Sequence, residues 1–148
     1  MMRLKDLEIA VMKDEGFRAS PYLDSVGVPT IGYGTTVIMG KKVTMDDPTI
    51  TPQDARHLLR ADLYGAAIDA QDLFWNFATM NDVRQEVLVN MAYNLGKRGL
   101  AGFKKMLAAA ESLDYDTMAE EMTDSKWYGQ VGKRAVRLVN EMRFGHAL

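Results

Sequence analysis

The chain has 148 residues, of which 47% are hydrophobic and 26% are charged, and its net charge is −2. This length and composition predict one folded domain with a sizeable core and exclude a disordered or low-complexity protein. The absence of cysteine excludes a disulfide framework and a thiol nucleophile. The two histidines, His57 and His146, give no metal cluster of the usual spacing, so no metal and no cofactor are expected.

The N-terminal segment is predicted to form an amphipathic helix over about residues 2–13. Leu4, Leu7 and Val11 recur at helical spacing, and Gly16 supplies a stop signal. Charged residues interrupt this segment every few positions, so it contains neither the apolar core of a signal peptide nor a membrane span.

The following segments predict a small sheet and then a long helix. From Ser20 to Met45, β-forming residues alternate with glycine and proline, which favours two or three short strands with turns at "DSVG" and "IMGKK". Thr51 is a predicted N-cap, with Pro52 at the first helical position of a helix of about twenty residues.

From Asn81 onward the pattern is helical almost to the end of the chain, with a stop at Gly96. The prediction is therefore an α+β architecture, with a small sheet near the N-terminus followed by a helical bundle.

The C-terminal segment is cationic, since five Lys or Arg residues and one acidic residue, Glu141, lie between Lys126 and Leu148. A solvated helix face is the simplest interpretation of this charge. Polyanion binding is an alternative. Nucleic acid is a weaker candidate, because aromatic residues are not interleaved with the cations as stacking platforms would require.

The residues that carry possible chemistry lie in the segment 14–36. Glu15 is at a predicted helix C-terminus, where an anion is unfavourable, so we expect it to hold a proton or to have a cationic partner. Asp24 follows nine positions later, and Thr30 six positions after that. Two carboxylates, one protonated and one ionised, are what glycosidic bond hydrolysis uses, and Thr30 could help Asp24 to hold a water. Ordinary surface carboxylates are the alternative, just as Gly32 in "TIGYG" permits either a bend or a sugar lying on the backbone.

The run E-G-F-R-x-x-x-Y-x-D-x-x-G-x-x-T-I-G-Y-G resembles the phage-type (T4-like) lysozymes, a family of muramidases. Four further segments resemble that family in the same order along the chain: "NMAYNLG", "GLAGFKKML", "SKWYGQ" and "KRAVRLVNEMRFG".

The resemblance implies a two-lobed lysozyme-like fold in a single domain, 1–148. Residues of about 14–50 would form the N-terminal β lobe, and about 51–73 the connecting helix. Residues 1–13 with 74–148 would form the helical lobe, with the substrate cleft between the lobes.

The resemblance also implies an activity. The substrate would be the β-1,4 bond between N-acetylmuramic acid and N-acetylglucosamine in peptidoglycan. Glu15 would act as general acid, while Asp24 and Thr30 would position the attacking water, so that the anomeric centre is inverted.

Four further residues have substrate-binding roles by the same resemblance. Arg134 would face Glu15, the Tyr93 ring would pack on a sugar, and Asn94 would bond an N-acetyl group, while Gly32 would let a sugar approach the backbone. Core packing for Tyr93, a cap or turn role for Asn94 and a surface position for Arg134 are the alternatives. Two other aromatic residues, Trp75 and Trp127, are expected in the core, and the methionines are expected to fill gaps there.

The sequence departs from the family at Thr35, where many relatives carry a histidine. This change removes a possible structural ion pair of the N-terminal lobe and leaves Glu15, Asp24 and Thr30 intact. The segment between Thr36 and Pro52 also differs from that of the type member of the family. The resemblance is therefore a weak guide to cleft-lining residues such as Thr36.

The resulting hypothesis is a phage endolysin made in the host cytoplasm. It would reach the periplasm only after a holin permeabilises the membrane, and it is expected to be a monomer that neither inserts stably in membranes nor binds nucleic acid. Three alternatives remain: a virion-associated lysozyme, although no tail-binding domain is recognisable, a binding protein on an inactive lysozyme scaffold, and a lytic transglycosylase.

Overall fold

A computed structural model describes residues 2–147 of the chain. These residues form two compact units. The N-terminal unit consists of Leu4–Tyr64, and the C-terminal unit contains residues 2–3 and 65–147. The small strands lie in the first unit, and the later helices lie in the second, so the predicted α+β fold class is confirmed. The division into lobes and a connecting helix stays a prediction.

Helix α1 spans Leu4–Glu15. Leu7 and Val11 are buried, as the helical spacing predicts, whereas Ile9 lies off that stripe and is 55% exposed. The helix extends two residues beyond the predicted end, which brings Glu15 into its last turn.

Four short strands follow: β1 at Arg18–Leu23, β2 at Pro29–Gly32, β3 at Val37–Ile38 and β4 at Lys41–Lys42. They form two separate antiparallel pairs, β1 with β2 and β3 with β4. The predicted turns are confirmed. "DSVG" connects β1 to β2, and Met39 and Gly40, both with positive φ, connect β3 to β4.

Helix α2 spans Pro52–Leu73 and begins as predicted. The hydroxyl of Thr51 accepts a hydrogen bond from the N–H of Asp54 at 3.1 Å, which satisfies one of the donors that a helix N-terminus leaves without an internal partner. The buried face of α2 in the N-terminal unit includes Ala55, Leu59 and Leu63.

Glu8 connects α1 to α2 within the N-terminal unit. Its side chain is 1% exposed and accepts hydrogen bonds from Arg56 at 3.3 Å and from Arg60 at 3.0 Å. Burial by itself raises the pKa of Glu8, but the hydrogen bonds and positive charges of Arg60 and Arg56 outweigh burial and lower the pKa below 4.5.

The C-terminal unit is helical. After a short 3₁₀ turn at Phe77–Thr79, helices α3 to α7 span Asp82–Ala101, Lys104–Glu111, Tyr115–Thr123, Lys126–Val131 and Lys133–Phe144. Gly96 has a φ of 75° and kinks α3, so the predicted stop is confirmed as an interruption of the helix. Among residues 2–147, no helix combines the length and the apolar character needed to cross a membrane.

Methionine side chains make up much of the core of the C-terminal unit. Five of them are 0% exposed: Met91, Met106, Met118, Met122 and Met142. The prediction that methionines fill core gaps is confirmed for these five, and the prediction that Trp127 is buried is also confirmed. The prediction for Trp75 is wrong, since this residue is 76% exposed. It lies in the turn after α2, where its neighbours Phe74 and Phe77 take the buried positions.

Candidate active site

Glu15 is the last residue of α1, and it is half-buried. Gly16 follows with a φ of 71°, and its N–H donates to the carbonyl of Met12 at 3.0 Å. A glycine in this left-handed conformation ends the helix and redirects the chain into β1. Glu15 is therefore held at a helix end directly before the hairpin.

The β1–β2 hairpin brings three side chains to one face. Tyr22 lies opposite Thr30 in the antiparallel register, and the side chains of such a pair point to the same face. Asp24 continues the pairing, since its N–H donates to the Val28 carbonyl at 3.0 Å. Because residues two apart in an extended strand also share a face, Tyr22, Asp24 and Thr30 lie together.

The turn after β1 fixes the carboxylate of Asp24. Its Oδ1 accepts hydrogen bonds from the N–H groups of Val26 at 3.0 Å and Val28 at 2.8 Å. An aspartate in this local arrangement stabilises the turn. Within residues 2–147 both bonds fall on Oδ1, so Oδ2 keeps its acceptor capacity for a water or a ligand.

Thr30 is also hydrogen-bonded to the backbone of Val28. Its hydroxyl donates to the Val28 carbonyl at 2.8 Å, and only 3% of the residue is exposed. A hydroxyl that has given its single proton can only accept further hydrogen bonds. The backbone of Val28 thus joins Asp24 to Thr30, and both side chains are oriented as acceptors.

Tyr22 is a site residue that the sequence interpretation left out, although it stands in the family motif. Burial raises the pKa of its phenol, and the negative charges of Glu15 and then Asp24 raise the pKa further. The charge of Arg18 acts in the opposite direction. Tyr22 therefore lies in the electrostatic field of both carboxylates. The signal in the sequence was its position two residues before Asp24, which puts both side chains on one face.

Gly32 closes β2 with a φ of 69°, and it is buried. A Cβ at this position would lie 3.1 Å from Cβ of Ala55 and 3.3 Å from Cδ1 of Ile50. Both the backbone conformation and the close packing against α2 therefore favour glycine. The predicted contact of Gly32 with a sugar stays a prediction.

Thr35, the departure from the family pattern, is 1% exposed. Its hydroxyl donates to Oδ2 of Asp62 on α2 at 3.1 Å. Burial raises the pKa of Asp62, and the hydrogen bond from Thr35 counteracts only part of that effect. Thr35 thus gives Asp62 a hydrogen-bond partner that carries no charge.

The other predicted site residues lie in the C-terminal unit. Oδ1 of Asn94 accepts a hydrogen bond from the indole N–H of Trp127 at 2.8 Å. Nε of Arg134 donates to Oδ1 of the buried Asn90 at 2.9 Å. Tyr93 is half-buried on the same helix as Asn94. The substrate contacts of these residues, and the pairing of Arg134 with Glu15, stay predictions.

Part of the cationic C-terminal segment is neutralised within the C-terminal unit. Nε of Arg137 lies 3.2 Å from the carboxylate of Glu141 on the same helix. Arg143 lies 3.8 Å from Asp116. These ion pairs support a solvated helix face for this part of the segment.

Comparison with known proteins identifies the family. A family model described as phage lysozyme matches residues 12–143, a range that contains Glu15, Asp24, Thr30 and most of the helical unit. The chain belongs to the phage lysozyme family. The prediction of a lysozyme-type glycoside hydrolase is thereby confirmed at the level of the family.

Three relatives illustrate the range of this family. The pre-baseplate central spike protein Gp5 of Enterobacteria phage T4 is 30% identical over an alignment of 148 positions, gaps included, that covers 85% of this chain but 25% of the spike protein. A probable T4-type lysozyme 1 of Dictyostelium discoideum is 26% identical, with 89% of this chain and 90% of the relative covered. The endolysin of Salmonella phage P22 is 31% identical over 103 residues, with 69% of each chain covered. The chain thus spans a quarter of the spike protein and most of the other two.

Proposed function

We propose that this phage lysozyme family member is an endolysin. It is a muramidase that hydrolyses the β-1,4 bond between N-acetylmuramic acid and N-acetylglucosamine in peptidoglycan. The observation that carries the proposal is the backbone of Val28, which orients Asp24 through its N–H and Thr30 through its carbonyl. Two acceptors joined in this way on one hairpin face suit the binding of a single water.

The proposed mechanism gives each of the three residues one task. Protonated Glu15 donates its proton to the glycosidic oxygen as the bond from that oxygen to the anomeric carbon breaks. The attacking water donates one hydrogen bond to Oδ2 of Asp24 and the other to the Thr30 hydroxyl oxygen. Its lone pair is then directed at the anomeric carbon. As the new bond forms, Asp24 takes a proton from the water.

The stereochemistry follows from the number of displacements. One attack by water on the face opposite the leaving group inverts the anomeric centre. A Thr30 hydroxyl that already donates to Val28 is well suited to this task, because it accepts a hydrogen bond from the water instead of competing as a donor.

Substrate binding is proposed to involve Gly32, Tyr93, Asn94 and Arg134. Family membership supports these assignments. The hydrogen bond from Trp127 holds the amide of Asn94, and Asn90 holds the guanidinium of Arg134, so the motion of both side chains is restrained. A held side chain loses less conformational entropy on binding than a mobile one.

The proposed biological role is lysis of the host cell at the end of infection. The protein would be made in the host cytoplasm as a monomer. A holin would permeabilise the inner membrane and give it access to peptidoglycan in the periplasm. The endolysin of phage P22 among the relatives supports this role.

Chemical typing of the products tests the proposed reaction. Purified peptidoglycan is digested with the protein, released ends are identified by mass spectrometry, and the anomer of the first product is read by NMR before it equilibrates. We expect reducing N-acetylmuramic ends that appear first as the α-anomer. Anhydro ends would indicate a lytic transglycosylase, and a first-formed β-anomer would contradict the single displacement.

A second candidate role is that of a virion-associated lysozyme that acts when the phage enters a cell. The similarity to the spike protein of phage T4 favours it. The two roles share the same chemistry and differ in location. Detection of the protein in purified phage particles by mass spectrometry would favour the virion role over the endolysin role.

A further inference from the structure

We propose that Tyr22 is a further substrate-contacting residue, whose phenol O–H donates a hydrogen bond to the N-acetylhexosamine unit bound against Asp24 and Thr30. This inference rests on the proposed function. It adds a donor to a hairpin face on which the described side chains of Asp24 and Thr30 provide acceptors.

The backbone register positions Tyr22 independently of any electrostatic argument. Tyr22 pairs directly with Thr30 across the hairpin, and Leu23 pairs with Pro29. Directly paired side chains in an antiparallel sheet have Cβ atoms about 4.5–5.5 Å apart. Asp24, two residues further, is on the same face. Tyr22 therefore borders the two residues that would hold the attacking water.

An electrostatic interaction connects Tyr22 to Glu15, the third proposed catalytic residue. The charges of Glu15 and Asp24 both act on the phenol, with Glu15 the stronger of the two. Burial and then the nearby negative charges raise the pKa of the phenol, so Tyr22 keeps its proton whether or not Glu15 is ionised. Tyr22 is consequently a neutral hydrogen-bond donor throughout the pH range in which a lysozyme works.

The substrate supplies what such a donor needs. Oδ2 of Asp24 and the Thr30 hydroxyl can only accept hydrogen bonds. A sugar unit, however, also presents hydroxyl, ring and acetamido oxygens that themselves accept hydrogen bonds and need a donor. A site that bonds these oxygens needs a donor, and Tyr22 is a half-buried residue on the same hairpin face. Its removal would leave an acceptor of the bound sugar without a partner.

Arg18 fixes the ring that carries this donor. The guanidinium carbon of Arg18 lies 4.4 Å from the centre of the Tyr22 ring, within the range of a cation–π contact. The contact involves the ring face and not the hydroxyl. Tyr22→Phe therefore keeps the packing with Arg18 and removes only the proposed donor.

The first test compares Tyr22→Phe with the matched variant Tyr64→Phe, which removes a phenol hydroxyl from a residue that is 62% exposed on α2. We expect Tyr22→Phe to lower kcat/KM on peptidoglycan roughly tenfold, the effect of one hydrogen bond, while the melting temperature stays within about 1 °C of wild type. Tyr64→Phe should match wild type in both measurements. Unchanged kcat/KM in Tyr22→Phe would overturn the proposal.

The second test measures the position of the phenol without using activity. The pKa of Tyr22 is followed by NMR of ¹³C-labelled tyrosine, with the signal assigned from Tyr22→Phe. We expect the Tyr22 pKa to fall in Glu15→Gln and, by less, in Asp24→Asn, whereas the Tyr64 pKa stays constant. A Tyr22 pKa that is unchanged in both variants would contradict the arrangement.

These outcomes separate this inference from the proposed function. A wild-type protein that releases no fragments from peptidoglycan contradicts the proposed function and, with it, the substrate contact of Tyr22. If wild type cleaves peptidoglycan and Tyr22→Phe cleaves it equally fast, the proposed function is upheld. Only the substrate contact of Tyr22 is then contradicted.

Discussion

At the scale of single residues, Asp62 shows how burial beside an uncharged partner affects the electrostatics of the N-terminal unit. Its partner is the Thr35 hydroxyl, which donates a hydrogen bond to Oδ2 of Asp62 at 3.1 Å. A hydroxyl can donate one hydrogen bond but brings no positive charge. Burial therefore dominates, and the pKa of Asp62 rises above its ordinary value of 3.8.

The raised pKa predicts that ionised Asp62 opposes folding. Below pH 3.8 the carboxyl is protonated in both states and has no effect. As the pH rises from 3.8 through the folded-state pKa, the unfolded state loses its proton first, and the stability of the folded state falls. We therefore predict that Asp62→Asn raises the melting temperature at pH 7 by about 2–4 °C, corresponding to about 1 kcal/mol, and has little effect at pH 3.

Thermal unfolding at pH 3 and pH 7 measures this effect. Asp46→Asn, at an exposed position of the same unit, is the control for removal of a negative charge. A melting temperature of Asp62→Asn below that of wild type at pH 7 would show that the carboxylate is stabilising and would contradict the assigned pKa direction.

At the scale of elements, the link between α1 and α2 depends on Glu8. Its carboxylate is buried, while its partners Arg56 and Arg60 are 45% and 56% exposed. Loss of the charge leaves two arginines that water can still solvate. Removal of the Glu8 charge therefore costs less folding stability than removal of one partner from a fully buried ion pair.

We predict that Glu8→Gln lowers the stability at pH 7 by about 1–2 kcal/mol, a fall of roughly 2–8 °C in melting temperature. The pKa of Glu8 is lowered, so its contribution is complete above pH 4.5 and is lost as the pH falls through the folded-state value. The difference between wild type and Glu8→Gln should therefore shrink in acid.

Thermal melts from pH 7 down to pH 3 check this dependence, with Glu120→Gln at an exposed position of α5 as the control. A difference between wild type and Glu8→Gln that is as large at pH 3 as at pH 7 would exclude the charge of Glu8 as its source.

At the scale of the whole molecule, local signals predicted most of the elements. Thr51 and Pro52 mark the start of α2, and Gly16 and Gly96 mark interruptions, because capping and left-handed backbone conformations depend on a few adjacent residues. The face shared by Asp24 and Thr30 also follows from a hairpin whose turn the sequence identifies.

Contacts between distant residues could not be predicted in this way. Arg84 donates to the carbonyls of Met142 and Arg143 at the end of α7, across more than fifty positions of the chain. The exposure of Trp75 depends on which aromatic residues of one turn find space in the core. Such outcomes depend on packing of the whole unit, which a local pattern does not contain.

Glu15 is proposed to be the general acid of a muramidase, and the rate at which the protein clears cell walls tests this role. Wild type, Glu15→Gln and the control Glu111→Gln, at an exposed position of α4, are applied to purified Gram-negative cell walls. We predict that wild type and Glu111→Gln clear the walls with release of reducing muramic ends. Glu15→Gln should be slower by roughly 10²-fold or more, because it cannot protonate the leaving oxygen. Walls that are bound but left intact by wild type, or cleared equally fast by Glu15→Gln, would contradict this role.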